Sequence, residues 1–190
     1  MTVRQILQQD LLRYGIRKPV SVFLLVRLLL THVAPGIKFC IIFRYCQAYR
    51  KRNKLLFYIF LRLLRRIKYK YGFDISHRTT IGPGLYIGHF GGVVIHGDAV
   101  IGGNCNLSQG MTIGVLVRGS NAGVPTIGDR VFIGPGALIL GGISIGNDVL
   151  IGANAVVHFD VEDCSVVAAP SASVISKKGS SGYISNTVSE

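Results

Sequence analysis

Eight Ile-Gly pairs recur through the second half of this chain, at Ile81-Gly82, Ile87-Gly88, Ile101-Gly102, Ile113-Gly114, Ile127-Gly128, Ile133-Gly134, Ile145-Gly146 and Ile151-Gly152. The steps between them are 6, 14, 12, 14, 6, 12 and 6 residues, so most are multiples of six and both exceptions are twelve plus two. Leu107, Ile139 and Val157 fill gaps in phase, and Ile95 continues the series after a two-residue slip. A period of six fits neither a helix nor a hairpin ladder; it predicts a coiled parallel β-structure, each hexapeptide giving one short strand and a corner. The aliphatic residue points inward and Gly permits the tight backbone at the turn. A small or apolar residue four places on (Ala99, Cys105, Val131, Ala137, Val149, Ala155) completes the interior. The predicted fold is mainly β: a left-handed parallel β-helix over 74–175, one of the few exceptions to right-handed crossovers. A short α-helical extension over 1–73 precedes it, and a flexible Ser/Gly-rich tail over 176–190 follows.

Charge divides at the same boundary. Residues 1–73 hold 16 Lys or Arg against one acid, Asp10, while residues 74–190 hold 5 Lys or Arg against 8 acids. The net +12 therefore belongs to the N-terminal third. Its apolar stretches, Val20–Ala34, Ile37–Ala48 and Leu55–Ile67, are too short or too interrupted by Arg27, His32, Arg44 or Arg62 to span a bilayer. Pro35-Gly36 and the basic run Arg50–Lys54 separate them, which predicts two or three helices. In the last stretch Lys51, Lys54, Arg62, Arg65 and Arg66 oppose Leu56, Ile59, Phe60, Leu63, Leu64 and Ile67. That pattern describes a helix lying on an anionic membrane surface, and the plain alternative is a helical cap with a solvated basic face. Nucleic acid is disfavoured, because the basic residues alternate with long aliphatics rather than forming an open polar patch. Four cysteines without CxxC spacing and no recognisable cleavable signal suggest a reducing, cytoplasmic compartment, with peripheral attachment to the inner face of the membrane through residues 1–70.

A β-helix is a scaffold, so function rests on its site. His89 breaks the repeat in Ile87-Gly88-His89-Phe90-Gly91-Gly92, directly before the first slip, where its side chain leaves the regular wall. Asp74 stands fifteen residues earlier, about one coil away. Such a pair suits general-base chemistry, the carboxylate fixing the imidazole so that it takes a proton from an alcohol; the alternative is a solvated corner histidine. His96 is a weaker candidate for the acceptor groove, His77 and His158 read as surface residues, and His32 as part of a helix. No two histidines are five residues apart, so no metal site is expected.

From Asp74 to about Ala172 the chain resembles the serine acetyltransferase branch of the hexapeptide-repeat acyltransferases. Asp74-Ile75-Ser76-His77-Arg78-Thr79-Thr80-Ile81-Gly82 is similar to that branch's D-I-H-P-x-A-x-I-G, and His89-Phe90-Gly91-Gly92-Val93-Val94-Ile95 to its H-A-T-G-I-V-V. Gln109, Thr112 and Gly114 keep step with L-Q-x-V-T-L-G. The resemblance implies an acetyl-CoA-dependent O-acetyltransferase working as a homotrimer, with Asp74 and His89 as catalytic dyad. It places the CoA groove at Gly114, Gly134, Pro135 and Ala153, with a backbone N–H near Gly114 facing the developing oxyanion.

Three departures bear on the acceptor. Gly88 stands where the branch has Asp, and Gly123-Val124-Pro125 where it reads Arg-His-Pro, residues it uses to grip serine and supply a second histidine. The tail end reads Ala169-Pro170-Ser171-Ala172 in place of G-N-P-A. The pattern is similar to acetyltransferases of capsule, exopolysaccharide and O-antigen clusters, so the expectation is a sugar hydroxyl of a cell-envelope polysaccharide or its precursor. The alternatives are a serine O-acetyltransferase of cysteine biosynthesis and a non-catalytic β-helix scaffold at the membrane. Segment Val115–Val124, with Arg118-Gly119-Ser120-Asn121, is expected to loop out over a neighbouring chain.

Overall fold

An inward aliphatic every six residues can be buried only if the chain closes into a narrow prism, and it does so in the computed structural model, which describes residues 1–177 and Ser180. The frayed tail expected from Ser176 lies almost entirely outside the described residues. In the first coil run β1 (Phe73–Ile75), β2 (Thr80–Ile81) and β3 (Tyr86–Ile87). The second holds β4 (Val93–Ile95), β5 (Val100–Ile101) and β6 (Asn106–Leu107), and the third β7 (Thr112–Gly114), β8 (Thr126–Ile127) and β9 (Phe132–Ile133). The fourth holds β10 (Leu138–Leu140), β11 (Ser144–Ile145) and β12 (Leu150–Ile151), and the last β13 (Val156–Val157) and β14 (Val166–Val167). Each strand pairs in parallel with its counterpart one coil away, giving three sheets: β1-β4-β7-β10-β13, β2-β5-β8-β11 and β3-β6-β9-β12-β14. Register is fixed by the stacked aliphatics, as in Ile81↔Ile101↔Ile127↔Ile145. All twelve in-phase aliphatics are buried, as are Ala99, Cys105, Val131, Ala137, Val149 and Ala155.

The glycine of the Ile-Gly pair has a different reason from the turn freedom expected of it. Gly82 and Gly128 do not have positive φ; a Cβ at Gly82 would lie 2.5 Å from the Gly103 nitrogen, and one at Gly128 2.7 Å from the Gly146 oxygen. Close stacking of successive coils, not a left-handed turn, excludes a side chain there. The left-handed backbone falls two residues later, in the column Gly84, Asn104, Arg130, Asp148 and Cys164.

Three columns of corners separate the sheets. The corner between second and third sheets in the first coil is gripped by the helices, and we call that column the clamp edge. The column between third and first sheets carries His89 (the histidine edge), and the column between first and second carries the 115–124 segment (the loop edge).

Four helices precede the coils: α1 (Val3–Arg13), α2 (Val22–Leu30), α3 (Pro35–Tyr49) and α4 (Lys54–Tyr71). The unexpected one is α1, started by a capping box between Thr2 and Gln5 and anchored by buried Leu7 and Leu11. His32 lies just beyond α2 rather than within a helix. The open end of the prism is plugged by α3, whose Phe39 meets Phe73 edge-on at 5.5 Å and stacks on Phe43 at 5.2 Å. Arg44 of this helix is buried and donates to both oxygens of the buried Asp10 carboxylate at 2.8 and 3.1 Å. It also donates to the carbonyls of Ile81 and Gly82, both at 2.6 Å, while Asp10 accepts from the Gly84 and Leu85 N–H groups at 2.8 and 2.9 Å. Two buried charges thus satisfy each other and the first clamp-edge corner. The αL residue Gly72 ends α4 and turns the chain into β1.

Candidate active site

On the histidine edge the later corners take four residues between strands, whereas the first, Gly88–Gly92, takes five. Its base is held on both sides, the Gly91 N–H donating to the Tyr71 carbonyl at 2.8 Å and the Gly91 carbonyl accepting from Gly110 at 2.9 Å. The surplus chain has nowhere to go but outward, so His89 and Phe90 stand exposed. Among the described residues no hydrogen bond or ion pair engages the His89 ring. It is free to act on something that arrives from outside.

Asp74 is the outward residue of β1, pairing in register with Val94 of β4. Both members of the expected dyad therefore belong to the first sheet and its histidine edge. The single chain does not join them. The Asp74 carboxylate, 75% exposed, is instead bound by the Lys68 ammonium of α4 at 2.9 Å. Lys68 was not anticipated; the signal lay in its place one turn before the Gly72 reversal, which folds the end of α4 back beside β1. Between α4 and β1 runs an open groove of about 1260 Å³, lined by Arg62, Arg65, Arg66, Lys68, Asp74 and His77 among others. Partial burial lowers the His77 pKa, with Arg50, Arg78 and Lys68 adding repulsion, and its ring packs edge-on against Phe57 at 5.5 Å.

The residues expected to receive CoA divide between two edges. Gly134, Pro135 and Ala153 lie on the histidine edge above His89, tied by the Asn154 N–H donating to the Pro135 carbonyl at 2.9 Å. Gly114 ends β7 across the first sheet, at the root of the loop. Between His89 and Pro135 sits Gln109, whose side-chain oxygen is buried without a partner. An orphaned acceptor is costly unless a ligand donor completes it. Together with the small side chains above it, this fits a strip that receives an amide-bearing arm such as that of CoA.

The 115–124 segment leaves the coil as expected. Leu116 and Gly123 exchange backbone hydrogen bonds at 3.0 and 2.8 Å, closing the loop at its root. Asn121 ties it back to its own chain, donating from its side chain to the His158 carbonyl at 2.8 Å. His96 is on this loop edge, not beside His89, and its Nδ1 accepts from the Asp98 N–H at 3.2 Å, a turn contact. His158 is exposed. Among the described residues no three His, Cys, Asp or Glu side chains cluster as metal ligands would.

Comparison with known proteins bears on the chemistry. Residues 125–158 match the family described as Bacterial transferase hexapeptide (six repeats). A serine acetyltransferase of Helicobacter pylori is 38% identical over 144 residues, covering 75% of this chain and 82% of that protein. Among solved structures, serine acetyltransferase isoform 3 of Entamoeba histolytica in complex with cysteine superposes with a TM-score of 0.73 at 32% identity, covering 93% of this chain and 62% of that one. This chain thus spans a little under two thirds of that longer protein. A serine acetyltransferase in complex with CoA superposes with a TM-score of 0.68 at 26% identity, covering 88% and 67%.

These relatives overturn the expectation of a polysaccharide acceptor, and the structure shows where its reasoning failed. Gly88, Gly123 and Val124 were read as the loss of residues that grip serine. Gly123 instead has φ +140 and would push a Cβ to 2.9 Å from the Gly142 Cα, so the backbone demands glycine there. Val124 packs on the core of the prism. Nor are counter-charges lacking beside Asp74, because α4 supplies them.

Proposed function

The chain belongs to the hexapeptide-repeat acyltransferases, and from that premise we propose that it is an acetyl-CoA-dependent O-acetyltransferase whose acceptor is serine. Likeness to serine acetyltransferases over most of the Helicobacter pylori protein is the observation that carries this reading. His89 takes the proton of the serine hydroxyl as the oxygen attacks the thioester carbonyl of acetyl-CoA; the C–O bond forms, the C–S bond breaks, and the proton leaves with the thiol of CoA. Asp74 holds the imidazole once the acceptor is in place. A backbone N–H near Gly114 stabilises the oxyanion. No serine or cysteine adjoins His89 in sequence, so transfer is direct rather than through an acyl-enzyme.

This site needs a second chain. His89 and the 115–124 loop lie on opposite edges of the first sheet, so one copy keeps them apart. Threefold closure sets the histidine edge of one copy against the loop edge of the next and covers outward apolar residues of that sheet such as Val94 and Val156. A homotrimer is therefore part of the proposal. The test of the chemistry is incubation with acetyl-CoA and serine, reading free thiol and the acetylated product by mass spectrometry. Steady O-acetylserine formation is expected; thioester loss by hydrolysis alone, with serine unchanged, refutes the acceptor.

A peripheral contact with an anionic surface is a second, separable reading. It rests on α2, where Phe23 is 79% and Leu30 81% exposed beside a basic N-terminal third. No helix among the described residues is long and apolar enough to cross a membrane. Co-sedimentation with anionic vesicles at low salt, with and without Phe23→Ser and Leu30→Ser, is expected to show salt-sensitive binding lost in the variant; equal partitioning refutes it.

A further inference from the structure

We propose that Lys68 is the specificity-determining cation of the acceptor site: it takes the carboxylate of the incoming amino acid and in doing so releases Asp74. The assignment rests on the serine reading above and adds to it the group that recognises the acid.

An amino-acid acceptor brings a carboxylate that must be paired when it leaves water, since an unpaired charge binds poorly in a desolvated site. The corner that carries His89 offers none, because Gly88 has no side chain; in the 115–124 segment Gly123 and Val124 serve the loop root and the core, and only Arg118 is charged. The groove against Asp74 has the opposite character, with Arg62, Arg65, Arg66 and Lys68 facing a single carboxylate. Of these four, Lys68 alone reaches Asp74, at 2.9 Å, and its side chain is 26% exposed, enough to contact a ligand from where it stands. Arg65 is drawn aside over the Tyr69 ring, 5.7 Å from its centroid.

This arrangement couples recognition to catalysis. In the free chain the Asp74 carboxylate is paired with this ammonium and not with the imidazole. A carboxylate arriving in the groove competes for the same ammonium, and an exposed ion pair is weak enough to exchange. Once Lys68 turns to the ligand, Asp74 is available to orient His89. An acceptor without a carboxylate leaves the lysine on Asp74 and the base unsupported, so the enzyme distinguishes the acid from its neutral amide by turnover as well as by binding.

The experiment compares kcat/KM for serine with that for serinamide, using acetyl-CoA, in the wild type, Lys68→Met and Lys68→Arg. The wild type is expected to prefer serine by roughly ten- to a hundredfold, the span of one charge-assisted hydrogen bond. Lys68→Met should bring the ratio near unity, whereas Lys68→Arg should keep most of it. A lysine that only steadies Asp74 affects both acceptors alike, so an unchanged ratio in Lys68→Met overturns the assignment while leaving serine acetylation standing. Failure of the wild type to acetylate serine at all overturns the acceptor reading and this assignment with it.

Discussion

Replacing Asp10 by Ala should cost more stability than any other single truncation in the helical third. The carboxylate is fully buried and its partner Arg44 has a side chain only 3% exposed, so water can rescue neither. The carboxylate accepts four hydrogen bonds, two from the guanidinium and two from the Gly84 and Leu85 N–H groups. Asp10→Ala strands a buried cation and two buried donors together. Breaking a buried pair from one side costs about 3–5 kcal/mol, a large share of the ~5–15 kcal/mol by which a domain is stable. Arg44→Met should fall toward the lower end, because two backbone N–H groups still neutralise part of the carboxylate. The Asp10→Ala/Arg44→Met double variant leaves no buried charge, so it should cost less than the two single changes added, by about 0.5–3 kcal/mol of coupling. Equilibrium urea unfolding, followed by far-UV circular dichroism and by the fluorescence of the eight tyrosines, measures all three. A loss under about 1 kcal/mol for Asp10→Ala, or strict additivity in the double variant, would show that the clamp does not join helices to coils as described.

Other expectations follow from the same contacts. His89→Ala should lower turnover roughly 10²–10⁴-fold with CoA affinity intact, and Asp74→Asn should cost less because it disturbs orientation rather than removing the base; near-normal activity of His89→Ala on serine contradicts the mechanism. Three of the four cysteines are buried, with burial pushing the Cys46 thiol up to about 11 and Cys40 and Cys105 upward as well. One thiol per chain, that of the exposed Cys164, should therefore react promptly with a disulfide reagent, and four after unfolding. The lowered pKa of His77 means the unfolded chain takes up its proton first as pH falls below about 6.5. Its contribution is thus present above that value and lost progressively as pH drops toward the folded pKa, and His77→Gln should flatten the urea midpoint across that window.

What could be read from the sequence divides by range. The coils were legible because each Ile repeats a local instruction every six residues and the register follows from stacking them. His89 was legible for the converse reason, as surplus chain in a regular corner. Asp10 and Arg44 were opaque: one looked like a lone acid and the other like a charge interrupting an apolar stretch, and only the fold brings residues 34 apart into one buried pair. Lys68 was hidden among the many cations of the N-terminal third, since sequence does not say which of them a turn at Gly72 brings beside Asp74. The acceptor was misread because glycine at 123 was taken as an emptied binding position when its backbone and the nearby Gly142 require it. The helix α1 carried a readable start in Thr2 and Gln5 but a face only two leucines wide.

The proposed site lies in the seam between two copies, with His89 from one and the 115–124 loop from the next. Mixing two inactive variants tests it most directly: His89→Ala, and a chain whose loop from Val117 to Asn121 is replaced by a short glycine link. Unfolded together and refolded as mixed trimers, they should recover activity at roughly a quarter of the sites, those in which an intact His89 meets an intact loop. Mixtures that stay as inactive as either variant alone, while sedimenting as trimers containing both, would contradict the shared site.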